Sequence, residues 1–424
     1  MDTHTATIGE IDSGIFCLHA DLKTTALFEG LWDTSKHGVS LNAYVVRGEK
    51  TALIDLCAAG SEAASQLKNT LASSCSLTFA DIDYVVLNHM ESDHTGFLRD
   101  FCRENTKAQI ICTEKAAKLV HAFYGDAFYG IDGNSKVRVV KDGDTLDLGG
   151  GKKCSFYEIP NVHWPETMVT FEESSGTLFS CDAFGSYGAL GDKVFDDEYT
   201  AAEHALFEDE CLRYYASIVA SFSLFVEKAI AKLTDSGLAS RIKCIAPSHG
   251  IVWRKNPLTI IERYKKYAAY GTQKGAACES EIAIIWGSMY GNTRKAVDAV
   301  IAGIEAAHGA YTLHQIPDEN YSYPLACAFK SKALVLAMPT YEYAMFPPMA
   351  HFLDICKRKH IGAKKVFRLG SWGWSGGAKR EYETAVADFP DWTHFEGYEW
   401  NGAPTEDDLS ALKEKATEFA LSIQ

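Results

Sequence analysis

Asn88–Gly96 reads NHMESDHTG, with His89, Glu91, Asp93 and His94 inside six consecutive positions. A solvated loop has no use for two histidines beside two carboxylates, whereas a metal site does. The stretch follows an apolar run, YVVL, so the cluster sits where a buried strand ends. Three more apolar runs lead to a candidate ligand in the same way. His163 follows CSFYEIPNV, Asp182 follows GTLFSC, and His249 follows RIKCIAPS. Scaffolds of α/β type gather their chemistry at strand ends. Together the set holds four imidazoles and three carboxylates, too many for one ion and suited to two, with Asp182 the natural bridge. His121 and His204 stand alone and read as structural or exposed.

The composition bounds the rest. With 424 residues the chain is too long for one ordinary core, and 47% apolar with 23% charged residues is a soluble globular balance. A formal net charge of -15 argues against nucleic acid or an anionic membrane as partner. No apolar run approaches the roughly 18–20 residues of a membrane span. The opening MDTHTATIGEIDSG lacks the pattern of a secretory signal, so the expected location is the cytoplasm. The 12 cysteines form no C-x-x-C pair and read as reduced, mostly buried thiols, so any iron must be held by nitrogen and oxygen.

Residues 1–270 form the first expected domain. GIFCLHA, VSLNAYVV and TALIDL read as short strands in a hairpin pattern, and a helix is expected near Ser61–Leu71. Tyr215, Ile218, Phe222, Phe225 and Ala229 suggest one amphipathic helix. GTQKGAACES interrupts the pattern, and residues 271–279 read as a linker. From 280 to 424 the buried-strand runs EIAIIW, KALVLAM and KKVFRLG alternate with helical segments, the mark of a doubly wound parallel sheet. In the first of those helices Val297, Val300, Ile301 and Ile304 share a face, and Gly309 is the expected stop.

Three loops in this second half fall after strands. GSMYGNT lies between strand and helix, where Ser288, Met289, Tyr290, Gly291, Asn292 and Thr293 present backbone N–H groups to a phosphate. It contains no lysine, which argues against a Walker-type loop. Pro339, Thr340, Tyr341 and Glu342 follow the second strand, and Ser371, Trp372, Gly373, Trp374 and Gly376 follow the third. Tyr341 and Trp372 are placed to flank a flat ring.

The first motif resembles the metallo-β-lactamase superfamily, whose zinc hydrolases carry H-x-H-x-D-H. Here Glu91 stands at the second histidine, and an anionic oxygen ligand suits iron better than an all-imidazole set. The second half resembles flavodoxin, with Glu342 where asparagine is common and Trp372 where tyrosine is common. The combination resembles a flavodiiron protein of the A type over essentially the whole chain. That resemblance implies an N-terminal αββα sandwich and a C-terminal flavodoxin-like sheet. It implies one iron on His89, Glu91, His163 and bridging Asp182, and a second on Asp93, His94, Asp182 and His249; His94 is off the metal in some members. Glu91, Asp182 and His94 are then the expected catalytic residues, and FMN the second cofactor.

The implied activity is four-electron reduction of dioxygen to water, with reduction of nitric oxide to nitrous oxide as the competing reading. Two alternatives differ in class: a zinc hydrolase fused to a flavodoxin module, and a redox-sensing module with a vestigial metal site. The resemblance also implies a head-to-tail homodimer, or a tetramer built from it, bringing the flavin of one chain to the irons of the other. No rubredoxin-like segment follows Gln424, so electrons are expected from a separate protein, a rubredoxin or another reductase.

Overall fold

A computed structural model describes residues 9–24, 26–58, 60–125 and 136–424. Most of the opening segment in which a secretory signal was sought lies outside them. The chain divides into two compact units. One runs to Tyr214 and takes in Phe225–Lys265; the other comprises Tyr215–Leu224 and Lys266–Gln424.

In the first unit β1 (Gly9–Asp12), β2 (Ile15–Leu22), β3 (Val39–Arg47), β4 (Thr51–Ile54), β5 (Tyr84–Val86), β6 (Gln109–Thr113) and β7 (Val137–Val140) form one sheet in that order. The expected hairpin strands pair antiparallel, β2 with β3 and β3 with β4. A second sheet has the order β12-β11-β10-β9-β8, from β8 (Thr145–Gly149), β9 (Lys152–Glu158), β10 (Met168–Glu172), β11 (Thr177–Cys181) and β12 (Cys244–Pro247). Strand alternation assigns the faces. Ile54, Val86 and Ile111 join Phe156, Met168, Phe179 and Ala246 in the core between the sheets. Leu53, Val85 and Ile110 point the other way, onto Leu67 and Leu71 of the helix Ser61–Cys75 and Leu98 and Phe101 of the helix Leu98–Glu104. This is the αββα sandwich that the motif implied.

The amphipathic helix expected around Tyr215–Ala229 is not one helix. The helix Ala201–Tyr214 gives way to a π turn at Tyr215–Val219 and a 3₁₀ turn at Ala220–Phe222, and a new helix runs over Ser223–Asp235. Every residue of Tyr215–Val219 is buried, so a single apolar stripe cannot describe it, and the change of winding re-aims the side chains.

The second unit is a sheet of order β14-β13-β15-β17-β18, from β13 (Glu279–Trp286), β14 (Ala310–Gln315), β15 (Ser331–Tyr341), β17 (Lys365–Trp372) and β18 (Thr393–His394). These strands are parallel; β16 (Ala344–Met345) folds back on β15, and β19 (Tyr398–Asn401) continues the outer edge along β17. The helix Asn292–Ala306 buries Val297, Val300 and Ile304 against this sheet, with Ile301 at the margin of the same core. The helix Pro257–Thr272 ends just before β13, leaving a short connection where the small polar residues lie. All 12 cysteines are free thiols. Among the described residues no helix is long and apolar enough to cross a membrane.

Candidate functional site

The cluster is held from behind by Asn88. Asp55 accepts from the Asn88 backbone N–H at 2.8 Å and its side-chain amide at 3.2 Å, and the Thr170 hydroxyl donates to Asn88 Oδ1 at 2.7 Å. Beyond this anchor the chain turns through the short helix Ser92–Thr95, which delivers His89, Glu91, Asp93 and His94 to one place. His163 follows β9, Asp182 directly follows β11, and His249 lies two residues past β12. The structure brings all seven together. Ligand atoms of His89, Glu91, His163 and Asp182 lie within 4.8 Å of one another, as do those of Asp93, His94 and His249. His121 and His204 stay out of it, and His204 Nε2 is spent on the Asp196 carbonyl at 2.7 Å.

Asp182 divides the cluster in two. Its Oδ2 faces His89 Nε2 and His163 Nε2, both at 3.3 Å, whereas Oδ1 faces His94 Nε2 at 3.0 Å and His249 Nε2 at 3.2 Å. Glu91 completes the first half, 3.0 Å from His163 Nε2 and 3.3 Å from His89 Nε2. Asp93 completes the second, 3.3 Å from His249 and 3.4 Å from His94.

The electrostatics calls for cations. Burial opposes charge on every imidazole, yet carboxylate contacts outweigh it, holding His163 up to about 9 and His249 up to about 10. His89 and His94 are raised in the same way, by Glu166, Glu91 and Asp182 and by Asp93 and Asp182. Burial would raise Glu91, but His163 and His89 hold it down to about 2, and the surrounding imidazoles hold Asp182 well below the ordinary range. Carboxylates that draw positive charge onto buried imidazoles in this way suit a metal ion equally well, and the mixed nitrogen and oxygen donor set suits iron.

Residues outside the motif orient it. His89 Nδ1–H donates to Glu166 Oε1 at 2.8 Å, and His249 Nδ1–H donates to the Ser40 carbonyl at 2.8 Å. An acceptor on Nδ1 fixes the tautomer and leaves Nε2 with its lone pair turned into the cluster. The Tyr214 hydroxyl donates to Asp182 Oδ1 at 3.0 Å. Glu166 sits in WPET, close behind His163, but Ser40 and Tyr214 carry no local signal. A cavity of about 310 Å³ reaches Glu91 and Asp93 between Leu27, Phe28 and Leu41.

In the second unit all three expected segments lie at C-terminal ends of parallel strands, but Pro339, Thr340 and Tyr341 are the last residues of β15, and Ser371 and Trp372 the last of β17, because the ladder runs further than the apolar run does. Gly291, at φ 89°, starts the helix Asn292–Ala306, and its N–H donates to Ser288 Oγ at 2.9 Å. Met289 and Tyr290 are exposed, while Thr293 is buried. Thr340 Oγ1 is buried with no hydrogen-bond partner among the described residues. Tyr341, Tyr343 and Trp374 are exposed, and Tyr343 packs edge-on against Trp374 with centroids 4.5 Å apart. Trp372 is half-buried. Asn401, which the sequence does not single out, ties the third loop down by donating to the Trp372 carbonyl at 3.0 Å and the Gly373 carbonyl at 2.5 Å. A helix start with no side-chain cap, an orphaned hydroxyl and exposed aromatic rings fit a phosphorylated, flat cofactor.

Comparison with known proteins agrees with both halves. Residues 39–250 match the ODP family beta lactamase. The anaerobic nitric oxide reductase flavorubredoxin of Salmonella arizonae is 34% identical over 363 residues, covering 85% of this chain and 71% of that one. The solved rubredoxin oxygen:oxidoreductase of Desulfovibrio gigas superposes with a TM-score of 0.86 at 25% identity, covering 98% of both chains. The flavodiiron protein of Giardia intestinalis shares the fold, with a TM-score of 0.86 at 24% identity over 98% of this chain and 96% of that one. The site, the two folds in this order and these similarities together place the chain in the flavodiiron protein family.

Proposed function

We propose that this protein is an oxidoreductase that reduces dioxygen to water at a non-haem diiron site fed by FMN. The observation that carries the reading is Asp182, whose two oxygens each face a separate pair of imidazoles, so that it would belong to both donor sets. His89, Glu91 and His163 would hold one iron with Asp182, and Asp93, His94 and His249 the other. When bound, the irons supply redox chemistry and adjacent positions for a diatomic substrate, and FMN supplies electrons singly or in pairs. Residues 1–270 would form the diiron domain and 280–424 the FMN domain, joined by 271–279.

The chain's own groups do the rest. Glu166 and Ser40 keep the Nε2 atoms of His89 and His249 turned into the cluster, where they would hold the ions. Tyr214, whose burial and nearness to Asp182 push its pKa well above the ordinary value, stays protonated and keeps donating to the bridge. The largely apolar cavity beside Glu91 and Asp93 admits a small neutral molecule more readily than an anion. Ser288–Thr293 would take the FMN phosphate, with Pro339–Glu342 and Ser371–Gly376 along its ring.

Nitric oxide is the second substrate to weigh, because the 34% identical relative is named a nitric oxide reductase. Rubredoxin stands in the name of the Desulfovibrio gigas protein and is the donor class we assign here. A head-to-tail homodimer in the cytoplasm completes the proposal. Uptake of dioxygen and of nitric oxide by the reduced, iron-loaded protein with one donor tests it. Faster dioxygen loss without peroxide is the expected result; faster nitric oxide loss would reassign the substrate, and no uptake of either gas would overturn the diiron reading.

A further inference from the structure

The second unit carries a cavity of about 650 Å³ between β17, the helix Ala378–Val386 and the chain that follows it. None of the three cofactor loops lines it. It opens where the outer edge of the sheet is interrupted. Val366 pairs with His394 and Leu369 with Tyr398, so residues 367–368 of β17 face three residues, 395–397, of the outer chain. The extra residue breaks the ladder and leaves a gap.

Arg368 stands at that gap. It is only 5% exposed, and it lines the cavity. Nη1 donates to Glu399 Oε1 at 3.0 Å, and among the described residues neither Nε nor Nη2 has an acceptor. These two atoms form one edge of the guanidinium fork, the edge that pairs with a carboxylate through two parallel hydrogen bonds. Gly397 keeps it open. A Cβ there would stand 3.0 Å from the Arg368 carbonyl oxygen, 3.5 Å from Nη2 and 3.6 Å from Nε, against the open edge and in the space an acceptor needs. One wall is apolar and rigid. Trp392 stacks on Phe389 with centroids 4.1 Å apart, and its indole N–H donates to the Gly362 carbonyl at 2.9 Å.

We propose that this cavity binds a small organic monocarboxylate with a planar apolar body, the carboxylate on Nε and Nη2 of Arg368 and the body against Trp392. A neutral amide offers one acceptor oxygen to the Nε and Nη2 edge, where a carboxylate offers two in the matching geometry. Glu383, Glu396 and Glu399 line the same cavity with Lys379, and they oppose a dianion such as phosphate more strongly than a monoanion. The volume suits a ligand of this class, since such sites span roughly 300–1,000 Å³.

Calorimetric titration of the FMN- and iron-loaded protein with benzoate tests this, with benzamide and inorganic phosphate as controls. Benzoate should bind saturably at one site per chain, and both controls should bind more weakly by about tenfold or more. Gly397→Ala puts a methyl group on the open edge while leaving both Arg368 and Glu399 in the sequence, and Arg368→Gln removes the charge. Each should weaken benzoate by about tenfold or more while FMN and iron contents stay unchanged; if Arg368→Gln fails to fold, Gly397→Ala decides alone. Absence of saturable benzoate binding, survival of that binding in Gly397→Ala, or equal affinity for benzamide or phosphate overturns the proposal.

Discussion

The Tyr214 hydroxyl lies 3.0 Å from Asp182 Oδ1, the oxygen that also faces His94 and His249. Tyr214 is the last residue of the helix Ala201–Tyr214, so the end of that helix sets the position of a donor on the bridging carboxylate. A hydrogen bond to a charged acceptor is worth about 1.5–3 kcal/mol. Tyr214→Phe should therefore lower turnover by about tenfold, with iron and FMN contents close to the parent's. Gas-uptake rates measured beside metal and flavin analysis check this; an unchanged rate would remove Tyr214 from the machinery.

Glu91 is the residue that separates this site from an all-imidazole one. Glu91→His removes a carboxylate that His163 and His89 hold down to about 2. Iron retention should fall and dioxygen reduction should stop, while FMN stays bound. Full activity in that variant would defeat the argument for a harder, more anionic site.

Glu166 touches no expected ion directly and acts through His89. Loss of such an orienting carboxylate typically costs about 10–100-fold in metal affinity. Glu166→Ala should show that loss in a chelator competition, and Glu166→Gln, which keeps an acceptor for Nδ1–H, a smaller one. Equal behaviour of the two variants would show that the fixed tautomer is irrelevant.

Gly291 adopts φ 89° at the start of the helix that faces the phosphate loop. A side chain in left-handed backbone costs roughly 1–2 kcal/mol, more when β-branched. Gly291→Val should distort the loop and release FMN while leaving the metal content intact, since the seven candidate ligands belong to the other unit. The FMN-to-protein and iron-to-protein ratios of the purified variant report the result; retention of both would place the phosphate elsewhere.

His314 supplies a pH dependence remote from the metal cluster. Burial opposes its charge, but Cys327 and the Glu319 carboxylate, 2.9 Å from Nδ1, hold it up to about 9. A raised pKa in the folded chain means stability that is fully present below the ordinary histidine value near 6.5 and lost as pH rises through about 9. The denaturant midpoint for the second unit, followed by FMN release, should fall over that window. His314→Gln should flatten the fall; an identical slope would assign it to another group.

The grouping of the seven candidate ligands was legible because each segment that carries them follows an apolar run, and a buried strand can be read from such runs directly. The placing of the three segments in the second unit at strand C-termini was legible for the same reason. The stretch 215–222 was not, because Tyr215–Val219 is buried on every side and a winding change leaves no periodic trace. Glu166, Ser40 and Asn401 were missed because their roles rest on contacts across the fold: Ser40 meets His249 across 209 positions, and Asn401 reaches the Trp372 loop across 28.

The sequence alone determined which chemistry this protein carries, since donor type and position relative to strand ends are properties of residues and their immediate neighbours. It also determined the order of the two folds, which hydrophobic periodicity encodes locally. Only the tertiary structure decided that Asp182 turns one oxygen to each half of the cluster, that the Nδ1 atoms of His89 and His249 are occupied, and that Gly397 leaves an edge of Arg368 uncovered. Those are relations between side chains distant along the chain, and packing alone sets them.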